Sequence, residues 1–241
     1  MTLEITPEQG GQRLGSGAMF DRIADRYDLL NRIISLGIDG SWRRKTVRAL
    51  GLGDDAHVLD VATGTADLAL EIAGHAPSAH IVGLDPSEGM LAVGRKKVDR
   101  AGLTDRVSLV VGDAMSLPFE DATFDAITIA FGIRNVPDRP KGLEEMLRVT
   151  KPGGTLAILE LSEPEGGVMG SLAKMHVHTI VPFVGGLLSG SQEYRYLQRS
   201  IAAFPPADQF GQIMHKAGWE VERIEPLTFG VAHLYVGRKP A

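Results

Sequence analysis

The chain has 241 residues, 44% of them hydrophobic and 23% charged, enough for one large domain with a substantial core. With 25 basic and 30 acidic residues it carries a net charge of −5, which argues against nonspecific nucleic-acid binding. It has no cysteine, so disulfides and thiolate catalysis are excluded.

The N-terminus shows no basic segment followed by an apolar run and a small-residue cleavage site, so no signal peptide is expected. No run approaches the roughly 20 apolar residues of a membrane span. TIVPFVGGLL (179–188) is the most lipid-friendly stretch, and Pro and Gly break it. A soluble, cytoplasmic protein is expected, with peripheral contact at the inner face of the membrane and a homodimer left open. Residues 1–16 read as a loose arm and 17–50 as a helical cover, with Met19, Ile23, Tyr27, Leu30 and Ile34 at helical spacing.

Strands and helices then alternate. HVLDVA (57–62) is a strand, TADLALEIAGH (65–75) a helix, HIVGLD (80–85) a strand, and 86–102 a helix that Ser87 can cap. RVSLVVGD (106–113) and FDAITIAF (124–131) are strands, 138–150 a helix, KPGG (151–154) a turn and TLAILEL (155–161) a strand. A mostly helical insertion at 165–200 precedes a helix at 208–218. Two last strands, about 219–226 and 229–237, are expected to form an antiparallel pair at one edge, joined tightly around Pro226–Leu227. The near-continuous apolar strands predict a single doubly wound α/β domain over 1–241, its sheet mostly parallel and covered on both faces.

VLDVATGTADLAL (58–70) is a strand, a small-residue turn and a helix start, where Gly64 and Thr65 let a ligand approach the backbone. Its single glycine disfavours pyrophosphate, and with it a nicotinamide-dependent reductase. Asp85, ending the second strand, can accept hydrogen bonds from both ribose hydroxyls of a nucleoside. Asp113, with Ala114 after it, is placed to read an adenine edge. Asp60, Asp85 and Asp113 form a series of acidic strand ends that suits S-adenosyl-L-methionine, a nucleoside with a sulfonium, an amino acid and no phosphate. Asp60 can equally serve the turn's own backbone N–H groups.

This series resembles the class I S-adenosylmethionine-dependent methyltransferase fold, a Rossmann-like sheet, over about 40–161 and 219–237. Four further segments narrow the resemblance: FDRIADRYDLLNRIISLGIDGSWRR (20–44), LPFEDATFDAITIAFGIRNVPD (117–138), RVTKPGGTLAILELSEP (148–164) and EYRYLQRSIAAFP (193–205). They are similar to the ubiquinone/menaquinone biosynthesis C-methyltransferases. That resemblance implies methyl transfer from S-adenosylmethionine to a ring carbon of a polyprenylated quinol, demethylmenaquinol before a ubiquinone-pathway benzoquinol. It carries cofactor contacts onto Thr65, Asp85, Asp113, Ala114 and Ala130. Family members often have Ser at Ala130, Gly-Gly-Thr-Gly where this chain has Thr63-Gly64-Thr65-Ala66, His at Asp39 and an aliphatic residue at Thr150.

The apolar strand ending at Phe131 presents Arg134 and Asn135. An arginine is effectively always charged, which makes it a poor base but a good stabiliser of a developing phenolate. Asn135 can donate to or accept from ring oxygens. If Arg134 is merely structural, it should pair with an acid near the strand end such as Asp138. Tyr27 is the third catalytic candidate, on a helix that could fold over the cleft. Tyr194 and His178 are candidate substrate contacts, and the apolar part of the insertion could receive an isoprenoid tail. No metal is expected, because a sulfonium is already activated and catalysis is mostly alignment. Two alternatives stand beside this reading: methylation of another phenolic or lipid substrate, and a non-catalytic scaffold that binds S-adenosylmethionine or quinol.

Overall fold

The computed structural model describes Asp21, Ala24, Arg32, Ser35, residues 37–163 and residues 191–241, with side chains of the last segment from Tyr196 onward. After a helix α1 (Asp39–Ala49), the elements run β1 (His57–Val61), α2 (Asp67–His75), β2 (His80–Asp85), α3 (Glu88–Arg100), β3 (Val107–Val111) and β4 (Phe124–Ala130). Then come α4 (Arg139–Val149), β5 (Thr150–Leu161), α5 (Ser191–Ala202), α6 (Ala207–Lys216), β6 (Glu220–Leu227) and β7 (Ala232–Arg238).

The seven strands form one sheet in the order β3-β2-β1-β4-β5-β7-β6. β1 pairs in parallel with both β2 and β4, so the chain winds outward one way and then the other, and the reversal falls between β1 and β4. Ligands of open α/β sheets bind at such a reversal, outside the carboxyl ends of the strands. β7 is the antiparallel member, paired to β5 on one side and β6 on the other, so the strand that occupies the edge is β6.

The central strands are buried because helices cover both faces. Trp42, Val47, Leu68, Ile72 and Val98 pack under α1–α3 on one face; Leu143, Met146, Phe210, Met214 and Trp219 pack under α4 and α6 on the other. Side-chain caps start two of these helices. Ser87 Oγ accepts from Met90 N at the start of α3, and Asp138 accepts from Lys141 N at the start of α4. Asp21, helical in the N-terminal cover, accepts from Ser87 Oγ at 2.6 Å and from Gly89 N at 3.0 Å, which ties that segment to the N-terminus of α3.

Two boundaries differ from expectation. KPGG belongs to β5, which begins at Thr150: pairing with β4 slips from Phe124–Thr150 to Ala126–Thr155, and the intervening loop is held by Gly153 N donating to Lys239 O. Likewise Pro226 and Leu227 lie within β6, opposite His233 and Ala232, and the turn is Thr228–Val231. Proline is tolerated there because β6 is the edge strand and needs no donor on its outer side.

Candidate active site

Strained backbone clusters at the carboxyl ends of β1 and β4. Ala62, Ala66 and Phe131 sit at φ of 51°, 67° and 57°, left-handed values unfavourable for residues with a Cβ. The two turns also crowd each other, since a Cβ on Gly132 would lie 2.6 Å from the Cβ of Ala62. Thr63 N donates to Leu84 O at 3.0 Å, drawing the first turn over the end of β2.

Asp60 is buried beneath this turn. Its two oxygens accept from Thr63 Oγ1 at 2.6 Å and Thr128 Oγ1 at 2.7 Å, so it supports the turn through hydroxyls rather than through backbone N–H groups. Asp85 accepts from Gly64 N at 2.8 Å and Ser87 N at 2.9 Å and thereby joins the first turn to the end of β2. Burial pushes both carboxyls up to about 6, against the hydrogen bonds that favour ionisation; Asp85 further raises Asp60, Asp21 further raises Asp85, and Arg43 at longer range lowers Asp60. Neither acid has a cation within hydrogen-bond reach among the described residues.

The remaining cofactor candidates lie on the same rim. Asp113 is half-buried, accepts from Met115 N at 2.9 Å and precedes the buried Ala114. Thr65 is buried, and its hydroxyl accepts from Lys97 Nζ at 2.9 Å. Ala130, half-buried, ends β4 beside them.

Arg134 is not presented to the crevice as a free cation. Its residue is 7% exposed, and Nη1 donates to Glu160 Oε1 at 2.6 Å and to Phe131 O at 2.5 Å. Nε contacts Ser200 Oγ of α5 at 3.3 Å, while Glu160 also accepts from Arg134 N at 3.1 Å and Leu161 N at 2.8 Å. The acidic partner is therefore Glu160 on β5 and not Asp138, whose carboxylate is spent on the α4 cap. Asn135, by contrast, is half-buried at the end of the short 3-10 turn Ile133–Asn135, and its Oδ1 accepts from Tyr196 Oη of α5 at 3.1 Å. Strand, turn and α5 are thus fastened together by two adjacent residues, of which Asn135 is the reachable one.

Tyr27 and His178 lie outside the described residues, and Tyr194 is placed in α5 by its backbone alone. Glu160, Thr63, Thr128 and Ser200 were not anticipated. Glu160 had a readable signal, an acid inside the otherwise apolar run AILEL, which demands a buried partner. Thr63 and Thr128 had none, because a threonine in a strand or turn is ordinary.

A Rossmann-like sheet, a low-glycine first turn, buried acids without a cation among the described residues and a polar turn ending β4 all meet where the strand order reverses. Residues 9–239 match the ubiE/COQ5 methyltransferase family. The chain belongs to that family.

It is 46% identical over 222 residues to a ubiquinone/menaquinone biosynthesis C-methyltransferase of Geobacter sulfurreducens, covering 92% of this chain and 87% of that one. It is 46% identical to a demethylmenaquinone methyltransferase of Thermus thermophilus over 92% of this chain and all (100%) of the other. A demethylmenaquinone methyltransferase of Deinococcus radiodurans is 42% identical over 99% of this chain and 100% of its own length. Among solved structures, the [4+2]-cyclase SpnF superposes with a TM-score of 0.72 at 19% identity, over 96% of this chain and 98% of the other. A methyltransferase of Aquifex aeolicus that is described as SAM-dependent gives 0.61 at 22% identity, over 81% and 88%. These superpositions show the fold alone, and a cyclase among them shows that the fold does not dictate the reaction. Family membership does: the chain is an S-adenosylmethionine-dependent C-methyltransferase.

The crevice fits that cofactor. A cationic sulfonium and ammonium complement Asp60 and Asp85, two buried acids lacking cationic contacts among the described residues. The open lone pairs of Asp85 suit ribose hydroxyls, and the absence of a glycine-rich phosphate loop suits a nucleoside without phosphate.

Proposed function

We propose that the chain methylates a ring carbon of a polyprenylated quinol and that its substrate is demethylmenaquinol. The naphthoquinol is favoured by the demethylmenaquinone methyltransferase of Deinococcus radiodurans, which matches this chain from end to end. The ubiquinone-pathway benzoquinol is the alternative, supported by relatives whose names cover both quinones.

S-adenosylmethionine supplies an activated methyl group on sulfur. In this reading Gly64, Thr65, Asp85, Asp113, Ala114 and Ala130 hold it, while Asp60 keeps the turn in shape and sets its negative charge beneath the cofactor's cationic end. The single observation that carries the substrate half is the polar turn Ile133–Asn135, placed where β4 meets the reversal of strand order. A quinol carbon becomes nucleophilic as the neighbouring phenol, with an unperturbed pKa of about 10, gives up its proton. Asn135 is the residue proposed to touch that ring oxygen, because it is half-buried and its amide retains donors after accepting from Tyr196. Arg134 acts through it as a positioning residue, and Glu160 offsets most of its charge. Their places in the sequence alone support Tyr27 as a catalytic candidate and Tyr194 and His178 as substrate contacts.

Incubation with S-adenosylmethionine labelled in its methyl group and chemically reduced demethylmenaquinone should place label on the ring. Asn135→Ala should lower turnover about tenfold or more while cofactor affinity holds, the size expected for one hydrogen bond to developing charge. Cofactor binding with no label on any quinol would refute the assignment.

A further inference from the structure

A second cleft of about 640 Å³ runs between α1 and the edge strand β6, away from the carboxylates described above. α1 lines it with Arg44, Lys45 and Arg48, and β6 with Arg223. One acid stands among them: Glu225 is ion-paired to Lys45 and lies 4.0 Å from Arg223. Four cations against one anion make a positive surface on a chain whose net charge is −5. Arg44 and Arg48 have no acidic partner among the described residues. Their neighbour Arg43 differs, being buried against Asp39 and lying over the Phe131 ring at 5.5 Å.

The cleft also has an apolar side. Leu227 and Ala49 line it, and at one end the chain turns through Thr228–Val231, where Phe229 is 59% exposed. Phe229 is held at φ 59° after Thr228 at 45°, a costly conformation for both. Thr228 is fixed there by accepting from Trp42 Nε1 at 2.9 Å. The turn lies at the carboxyl edge of the sheet, since Leu161 at the end of β5 pairs with Ala232 just after it. Trp42 in turn meets Phe131 at the end of β4, with ring centroids 6.4 Å apart. The positive cleft and the outward phenyl therefore share an edge with the active site.

We infer that this edge docks on an anionic bilayer, with lipid phosphates against Arg44 and Arg48 and Phe229 inserted at the interface. A cationic face with an adjacent exposed aromatic is the pattern that holds proteins at anionic membrane surfaces. The occupant follows from the proposed substrate, whose prenyl tail resides in a bilayer, and the inference rests on that reading to this extent. No described helix is long and apolar enough to cross a membrane.

Sedimentation with phosphatidylcholine vesicles, with and without phosphatidylglycerol, tests it. Binding should require the anionic lipid and weaken with salt. Arg44→Gln and Arg48→Gln should each cost about fivefold in partitioning, whereas Arg95→Gln on α3, the same charge change elsewhere, should cost nothing. Phe229→Ser should weaken binding further, and Phe229→Trp should shift its emission to the blue on vesicles. Equal binding to both vesicle types, or no loss in the two arginine variants, would overturn the inference. So would saturable binding of glycerol phosphate at the cleft without vesicle binding, which would mark a site for soluble phosphate. In a second arm, the double arginine variant should lose turnover on vesicle-embedded quinol and keep it on a short-tailed quinol in detergent. A wild-type enzyme inactive on both quinols would defeat the substrate assignment while the vesicle result still decides the docking surface.

Discussion

The crevice has two halves that handle buried charge in opposite ways. At the ends of β1 and β2, Asp60 and Asp85 are buried among hydroxyl and N–H donors with no cation in contact among the described residues, and burial lifts both to about 6. At the ends of β4 and β5, Arg134 and Glu160 are equally deep but neutralise each other. The first half is incomplete without a positively charged ligand; the second is complete by itself. On the proposed reading this difference separates cofactor binding from scaffold within a few strands, and each half should respond differently to mutation and to pH.

The largest effect is expected where charge is self-compensated. Glu160→Leu leaves the Arg134 guanidinium buried without its anion and should cost about 3–5 kcal/mol in denaturant unfolding. Combining it with Arg134→Met removes both charges and should restore most of that stability. If the pair is scaffold, the double variant recovers turnover with stability. Stability without turnover would return Arg134 to direct contact with the substrate.

Asp60→Asn should behave in the opposite sense. Thr63 and Thr128 can each turn a hydroxyl to serve an amide, so the variant loses a desolvated charge and keeps its contacts. Below the ordinary value of 3.8 the wild-type carboxyl is neutral in folded and unfolded chains alike. Between there and about 6 the unfolded chain ionises first, so folding stability falls as pH rises through that window. At neutral pH the penalty is about 3 kcal/mol at most, and Asp60→Asn should recover part of it. That gain should shrink as pH falls through the window and vanish in melts near pH 3, where the carboxyl is neutral in folded and unfolded chains alike.

The same carboxylates set the third effect, on ligand affinity. A cationic cofactor binds their ionised forms better, so S-adenosylmethionine affinity should fall several-fold per pH unit as pH drops below about 6. Titration calorimetry across pH 5 to 8 checks it. A flat profile would mean that these acids are not beside the cofactor's charge and would dissolve the contrast between the two halves.

Much of this arrangement was legible in the sequence. The alternation of apolar strands with helices gave the sheet, and acids at strand ends marked the rim, because both patterns are local. Which group each acid touches was not legible. Asp60 meets Thr128 across 68 residues and Arg134 meets Glu160 across 26, contacts that only the sheet register creates. The motif Arg134-Asn135 was recognisable, yet two adjacent residues of a short turn point to different surroundings. One is locked into the interior and the other is left at the crevice, and no residue-type rule distinguishes them. The Pro226–Leu227 turn failed for a similar reason: proline marks a break in a central strand, but β6 is an edge.

The smallest effect tests how α5 shares in the site. Tyr196→Phe removes only the hydroxyl that donates to Asn135 Oδ1 at 3.1 Å and keeps the ring. The half-buried bond is worth about 1 kcal/mol, so global stability should change little, because solvent can take the hydroxyl's place. Turnover should respond more clearly: an amide no longer held by Tyr196 samples orientations that do not face the substrate, and quinol kcat should drop about two- to fivefold. Cofactor affinity should stay unchanged, since Asp85 and the first turn lie across the reversal of the sheet from α5. A matching loss in both would show that α5 braces the whole crevice. A loss confined to quinol turnover would show that it serves the β4 side alone, and that the two halves of the site are held by separate parts of the chain.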